Sequence, residues 1–194
     1  MMISRSDLRA ALRERRRALS ADQQVSAGEG LYKTLSARPE LFDGQHIAVY
    51  IANDGEINPD ALRDYLWASG KQCYLPVVGQ GSSKDLMFIE YLPDTQLALN
   101  RFGIPEPSHH GARQILPEEL DIVFVPLTGF DTSGRRLGMG GGFYDRTFAF
   151  TRTSEKPKLI GLAHECQKVA SIPVEHWDIP MAAIATDCQF YLMP

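Results

Sequence analysis

The sequence predicts an α/β protein, a sheet with helices on its faces, and three observations carry that prediction. Short apolar runs of strand composition alternate with helical patterns along most of the chain. The run DIVFVPL at 121–127 has the unbroken apolar character of a buried strand. With 194 residues, 44% hydrophobic and 23% charged, the chain has the size and composition of one globular domain with a substantial core. No repeat, linker or low-complexity tract divides it, so residues 1–194 read as a single domain.

In chain order, Ser4-x-x-Asp7 opens a first helix as a capping box. At 100° per residue Leu8, Ala11, Leu12 and Leu19 share one stripe, with Arg5, Arg9 and Arg16 on its flank. A helix docked by its leucines would hold those arginines at the edge of the contact. Ser20-x-x-Gln23 opens a second helix, apolar at Val25, Leu31 and Leu35, that ends before Pro39. HIAVYI (46–51) is a strand, followed by a loop at Asn53-Asp54-Gly55-Glu56. Asn58-Pro59 are N-cap and first residue of a helix that Gly70 stops. QCYLPVV (72–78) and LMFIEYL (86–92) are strands separated by the turn GQGSSK. Residues 93–120 are Pro-rich and irregular, and 121–127 is the buried strand. TGFDTSGRRLGMGGG is a long loop that leads into a helix at FYDRTFAF, and KLIGLA (158–163) and CQFYLM (188–193) supply further strands.

Composition excludes several classes. No apolar run reaches membrane-spanning length, and the charged N-terminus lacks the apolar stretch of a signal peptide. Cys73, Cys166 and Cys188 are odd in number and scattered, which disfavours a disulfide framework or a zinc site and fits a reducing cytoplasm. Cys73, in a strand, reads as buried core. The net charge of −4 hides an asymmetry: six arginines against two acids make residues 1–17 +4 and leave −8 for the rest. Such an arm is most often a solvated helix face and otherwise meets an anion.

The chemistry concentrates at Arg135-Arg136-Leu137-Gly138-Met139-Gly140-Gly141-Gly142-Phe143-Tyr144-Asp145, between a buried strand and a helix. Its glycines let backbone N–H groups turn inward toward a phosphate, the following helix adds its N-terminus, and two arginines can fork onto phosphate oxygens. It is not a Walker A loop, because no G-K-[ST] follows, nor a dinucleotide fingerprint, because Phe143 stands where the third glycine belongs. It contains no lysine. A bound triphosphate would draw compensating charge from the arginines of the first helix, and Asp145 suits a magnesium ion bridging the phosphates.

R-L-G-M-G-G-G-F-Y-D (136–145) resembles the signature of the 5-formyltetrahydrofolate cyclo-ligase family, also called 5,10-methenyltetrahydrofolate synthetase. Arg5-x-x-Leu8-Arg9, the segment Ile51 to Glu56, and Phe102-Gly-Ile-Pro-Glu-Pro resemble further family elements in order and spacing. The resemblance implies a three-layer α/β sandwich of the NagB/RpiA/CoA-transferase type with a mostly parallel central sheet. It implies ATP- and Mg2+-dependent cyclisation of 5-formyltetrahydrofolate to 5,10-methenyltetrahydrofolate, with release of ADP and phosphate. The formyl oxygen attacks the γ-phosphate, the neighbouring folate nitrogen closes the ring, and phosphate departs.

Carried onto this chain, the ATP-binding positions are Arg5, Ser6, Asp7, Leu8, Arg9 and Arg136, Leu137, Gly138, Met139, Gly140, Gly141, Gly142, Phe143 and Tyr144. Arg136 and Tyr144 are the catalytic positions, Ile51, Glu56 and Phe102 bind substrate, and Asp145 is the metal ligand. Some relatives carry basic residues where Met139 and Gly141 stand, and some have a second metal-binding Asp where this chain has Ala182. Asp178 and Asp187 are the nearest acids to that position.

The expected partner is the reduced folate alone, acting on a cytoplasmic monomer without nucleic acid or membrane. Rival readings are a small-molecule kinase using the same phosphate loop, a reduced-folate-binding protein without turnover, and an RNA-binding protein using the Arg-rich helix; the net charge disfavours the last. Trp177-Asp178 reads as a packed aromatic with a capping acid that lines the folate site in a minority reading. His109-His110 reads as surface, and His164 points to no specific chemistry.

Overall fold

The computed structural model describes residues 4–79, 85–108 and 112–193. The turn at 80–84 and His109-His110 lie outside the described residues. Four helices, α1 (Arg5–Arg17), α2 (Ala21–Ser36), α3 (Asp60–Ala68) and α4 (Phe143–Thr147), surround an eight-stranded sheet. Its strands are β1 (His46–Ala48), β2 (Gln72–Val78), β3 (Leu86–Glu90), β6 (Gln114–Ile115), β7 (Ile122–Pro126), β10 (Lys158–Leu162), β11 (Ala183–Ala185) and β12 (Phe190–Leu192), in the order β12-β11-β10-β7-β1-β2-β3-β6. The five strands from β11 to β2 run parallel, and β12, β3 and β6 pair antiparallel at the edges.

Alternation along the central strands builds two cores. Ile47, Ile122, Phe124, Ile160 and Leu162 face Leu31 and Leu35 of α2 and Leu62 and Leu66 of α3. Ala48, Val123, Val125, Leu159 and Ile184, each one residue out of step, face Phe130, Phe148 and Phe150. The architecture is therefore a three-layer α/β sandwich, as the resemblance implies.

The differences from the sequence reading are local. The first strand stops at Ala48, short of Ile51. Val25 is 65% exposed, so the apolar face of α2 is Ala27, Leu31 and Leu35. Asn58 sits one residue before the cap position, where its Oδ1 accepts from the Asp60 N–H. The stretch 93–120 is not irregular throughout: β4 (Leu97–Leu99) and β5 (Pro105–Pro107) form a small antiparallel sheet. The long glycine loop likewise begins as a hairpin of β8 (Gly129–Phe130) and β9 (Arg136–Leu137). Both were illegible because Pro and Gly mask short strands whose pairing is fixed elsewhere. Buried Asp131 closes the second hairpin, its Oδ1 accepting from Ser133 and Arg135 N–H and its Oδ2 from Ile172 N–H.

Candidate active site

β2 lies on one side of β1 and β7 on the other, so the chain reverses direction across the sheet between β1 and β7. The carboxyl ends of strands at such a switch collect ligands in open α/β sheets. A cavity of about 830 Å³ opens there, floored by Leu75, Pro76, Val125 and Pro126 and walled by α1, the glycine loop and the loop after β1. Sites for small molecules commonly span roughly 300–1,000 Å³, so this one is large.

Helix α1 presents two rows at i, i+4, i+8. Leu8, Leu12 and Arg16 face the protein: Leu12 is fully buried with Leu137 and Ile172, and Leu8 packs against them. The approach is close enough that a Cβ on Gly129 would come within 2.3 Å of the Leu12 side chain. Ala11 is exposed and Leu19 half-buried, so the docking stripe is narrower than the four residues read from the sequence. Arg5, Arg9 and Arg13 form the second row and line the cavity. Arg16 is a correction. It does not sit at the edge of the contact beside Arg5 and Arg9 but is wholly buried among protein partners.

Most of the helix's charge is matched internally. Arg5 pairs with Asp178 at 2.7 Å, and Arg13, Arg16 and Arg17 converge on Asp54. Arg9 has no carboxylate among the described residues; its Nε donates to the Gly138 carbonyl at 2.8 Å. Partial burial and the neighbouring charges of Arg5 and Arg13 lower its pKa. An anion at this position would relieve that repulsion.

The glycine loop supplies matching donors. Among the described residues, the backbone N–H groups of Gly138, Met139, Gly140, Gly141 and Gly142 have no protein acceptor. Gly140 (φ +97°) and Gly142 (φ +67°) adopt left-handed geometry that favours glycine. Two sequence expectations change here. The following helix α4 has five residues, too short for a meaningful dipole, so the loop amides carry the cradle. Arg135 is exposed and reaches Ser171, away from the cavity, and Arg136 is tied inward: its Nε donates to the Ile179 carbonyl and its Nη2 bonds Asp145. The arginine left facing the cavity without a carboxylate among the described residues is therefore Arg9.

Asp145 lines the cavity, and its Oδ1 accepts from both Arg136 and the Ile179 N–H at 3.1 Å. Its Oδ2 has no protein partner among the described residues. No group of three metal-ligating side chains occurs among them either. One free carboxylate oxygen fits a magnesium ion that brings phosphate and water ligands with it, and not a site built wholly of protein. Neither candidate for the second acid is available: Asp178 is bound to Arg5 and the Glu175 N–H, and Asp187 accepts from the Glu165 N–H outside the cavity.

The opposite wall is the loop after β1. Ile51 and Glu56 line the cavity, with Tyr50 beside them donating its hydroxyl to the Ile57 carbonyl at 2.7 Å. Glu56 Oε2 accepts from the Asn53 N–H. Burial drives its pKa up to about 7 against the opposing pull of Arg16. Tyr144, from α4, faces the same space; burial first and the Glu56 charge second keep its hydroxyl protonated. Phe102 tops the cavity from the β4–β5 tip, half-exposed, 6.2 Å edge-on from Phe143. Asn100 Oδ1 shapes that tip by accepting from Phe102 and Ile104 N–H.

Of the residues named from the sequence, Arg5, Arg9, Arg136, Gly138, Met139, Gly140, Gly141, Gly142, Phe143, Tyr144, Asp145, Ile51, Glu56 and Phe102 share this one cavity. Ser6, Asp7, Leu8 and Leu137 do not reach it: Ser6 and Asp7 lie in the exposed first turn, and Leu8 and Leu137 anchor α1. Sequence reasoning missed Arg13, Tyr50 and Asp54. Arg13 was legible as the i+4 neighbour of Arg9; the other two carry no local signal. Trp177 and Asp178 do line the cavity.

Fold and cavity together define an α/β enzyme with an anion cradle facing an acidic acceptor. A family model described as the 5-formyltetrahydrofolate cyclo-ligase family matches residues 1–187. The chain is 42% identical to the 5-formyltetrahydrofolate cyclo-ligase of Escherichia coli, over 90% of this chain and 96% of that one. It is 43% identical to that of Haemophilus influenzae, over 91% and 94%. The solved 5,10-methenyltetrahydrofolate synthetase of Aquifex aeolicus superimposes with a TM-score of 0.83 at 27% identity, covering 98% of this chain and 93% of that one. The chain belongs to the 5-formyltetrahydrofolate cyclo-ligase family, and it is an ATP-dependent ligase that converts 5-formyltetrahydrofolate to 5,10-methenyltetrahydrofolate.

Proposed function

We propose that ATP lies along α1 and the glycine loop while the folate faces Glu56, so that the two reacting groups meet between Tyr144 and Arg136. The single observation that carries this reading is the contrast in hydrogen-bonding capacity across one cavity. Among the described residues, Arg9 without a carboxylate and the unpaired amides of 138–142 stand on one side, and an acceptor, Glu56, stands on the other. A triphosphate satisfies the donors and is repelled by the carboxylate; a pterin ring, with N–H donors at its edge, does the reverse.

The chemistry then follows from position. The formyl oxygen attacks the γ-phosphorus and the bond to ADP breaks. The neighbouring folate nitrogen adds to the formyl carbon and loses its proton, and the carbon–oxygen bond breaks as phosphate leaves. The protein mainly aligns two ligands and stabilises charge. Arg136, fixed by Asp145 and Ile179, places positive charge in the wall beside the transferring group. The protonated Tyr144 hydroxyl donates to a developing oxyanion, and Phe102 offers an aromatic face at the entrance. Asp145 Oδ2 would hold a magnesium ion arriving with ATP, and that ion would supply charge neutralisation at the phosphates. The enzyme acts as a cytoplasmic monomer, and the three free cysteines suit that reducing compartment.

Separate binding titrations test the assignment. With Arg9→Ala and Glu56→Gln variants, an ATP analogue and 5-formyltetrahydrofolate are each titrated by calorimetry. The reading requires opposite selectivity, Arg9→Ala losing nucleotide and Glu56→Gln losing folate; matched losses in either variant overturn it.

A further inference from the structure

Arg16 is a guanidinium with no solvent exposure, on a helix whose row of Arg5, Arg9 and Arg13 lines the cavity. A charge removed from water needs a full set of partners. Its Nε donates to the Asp54 carbonyl at 2.8 Å, Nη2 to the Asp54 carboxylate at 2.8 Å, and Nη1 to the Leu127 carbonyl at 3.3 Å. Nη2 also lies 3.7 Å from Glu56 Oε1 and 3.7 Å from Met139 Sδ. Four of these five contacts join α1 to the two ends of the site, the loop after β1 and the glycine loop. Arg16 itself does not line the cavity.

The segment it grips is a constrained one. Asp54 has φ +55° and Gly55 φ +74°, two successive residues in the left-handed region. Gln24 of α2 donates to the carbonyls of both Arg16 and Gly55, and His164 Nε2 lies 3.2 Å from the Gly55 carbonyl. A Cβ on Gly55 would sit 3.3 Å from the Arg16 carbonyl oxygen. The turn that aims Glu56 is thus held from behind by a side chain that does not line the cavity.

We infer that Arg16 is a positioning residue: through Asp54 and the left-handed turn it fixes the Glu56 carboxylate in the register that accepts the folate. The inference rests on the reading of Glu56 as the folate acceptor. The charged and titratable groups around Glu56 are Arg16 and Arg13 from α1, Asp54 from its own loop, Tyr50 from the end of β1 and Tyr144 from α4. Removing the Arg16 fork leaves Asp54 still paired with Arg13 and Arg17, while Glu56 loses the cation beside its Oε1.

The test compares Arg16→Lys, Asp54→Asn, Glu56→Gln and the Arg16→Lys/Glu56→Gln double variant, each checked for folding by circular dichroism. Lysine keeps the charge but loses the fork. Arg16→Lys is expected to raise KM for 5-formyltetrahydrofolate about tenfold while KM for ATP stays within about twofold. The pH limb of kcat/KM for folate should move upward, because the cation no longer stabilises the ionised carboxyl at close range. The double variant should be no worse than Glu56→Gln alone, as expected for residues acting as a unit.

Equal rises in both KM values, an unchanged folate KM, or multiplicative losses in the double variant overturn the inference. If Arg16→Lys does not fold, Asp54→Asn decides: a selective rise in folate KM supports the inference and no change overturns it. A Glu56→Gln variant with unimpaired folate use would instead mark failure of the underlying reading of Glu56.

Discussion

The two walls of the cavity are built on opposite plans. The wall of α1 and the glycine loop, which we propose holds the nucleotide, leaves donors open: among the described residues, five backbone N–H groups have no protein acceptor and Arg9 has no carboxylate partner. The folate wall is closed upon itself. Asp54 answers Arg13, Arg16 and Arg17, Tyr50 answers Ile57, and Glu56 presents its acceptor from a loop with little freedom. Burial opposes ionisation of Asp54, yet hydrogen bonds from the three arginines outweigh it and hold its carboxyl well below the usual carboxylate range. One wall leaves its donors unsatisfied, and the other satisfies its charges within the protein. On the proposed reading, recognition on the first is distributed over many weak donors, and on the second it is concentrated in one residue.

The largest expected effect tests that concentration. Glu56→Gln should lower kcat/KM for 5-formyltetrahydrofolate about 100-fold, the worth of roughly two charge-assisted hydrogen bonds, with ATP-analogue affinity unchanged by calorimetry. The same residue sets a pH dependence. Its ionised form is the acceptor, and burial places its pKa at about 7, so kcat/KM for folate should rise as pH increases through about 7. The sign for stability is the reverse. A carboxyl whose folded pKa is raised binds its proton more tightly in the native state, so its contribution to stability falls between the ordinary glutamate range and about pH 7. Thermal melts of wild type and Glu56→Gln across that window should converge at the acidic end.

Arg9→Ala comes next. Losing one charged hydrogen bond of about 1.5–3 kcal/mol weakens ATP-analogue binding on the order of tenfold to a hundredfold, less than the loss at Glu56 because the loop amides remain. Folate titrations with this variant should match wild type. Asp145→Asn is milder. Asparagine keeps the acceptor facing Arg136 and Ile179 and replaces the free oxygen, so the fold stands while half-maximal turnover requires several times more magnesium. Unchanged magnesium dependence would remove Asp145 from the metal. The smallest effect is at Arg135→Ala, where ATP-analogue affinity should stay within about twofold because this side chain points to Ser171 on an exposed surface.

That last case separates what was legible in the sequence from what was not. Layer order followed from periodicity: Ile122 and Phe124 against Val123 and Val125 state a strand buried on both faces in four letters. The glycine motif was legible because glycines at left-handed positions leave a local trace. The direction of an arginine is a different matter. Arg135 and Arg136 are adjacent, yet one points to solvent and one inward, and only the β8–β9 hairpin, itself hidden among turn residues, decides between them. Arg16 misled in the same way. Helical period places it beside Leu12, but its burial depends on Asp54, 38 residues away, turning back to meet it. Long-range pairing of charges has no periodic signature, so the site's support stayed invisible while its ligand-facing rows did not.

The tie between Arg5 and Asp178 spans 173 residues, and that between Arg9 and Gly138 spans 129. Helix α1 and the loop that carries Asp178, far apart in sequence, are thus neighbours in the same wall. A growing chain can pair β1 with β2 and cover them with α2 and α3 long before either tie forms. The cavity wall of α1 and the glycine loop is complete only when these distant segments have closed on each other, and loop closure of that length is slow relative to local contacts. A fragment of this chain that stops before β10 (Lys158–Leu162) lacks Asp178, and with it the tie that holds Arg5 at the cavity wall.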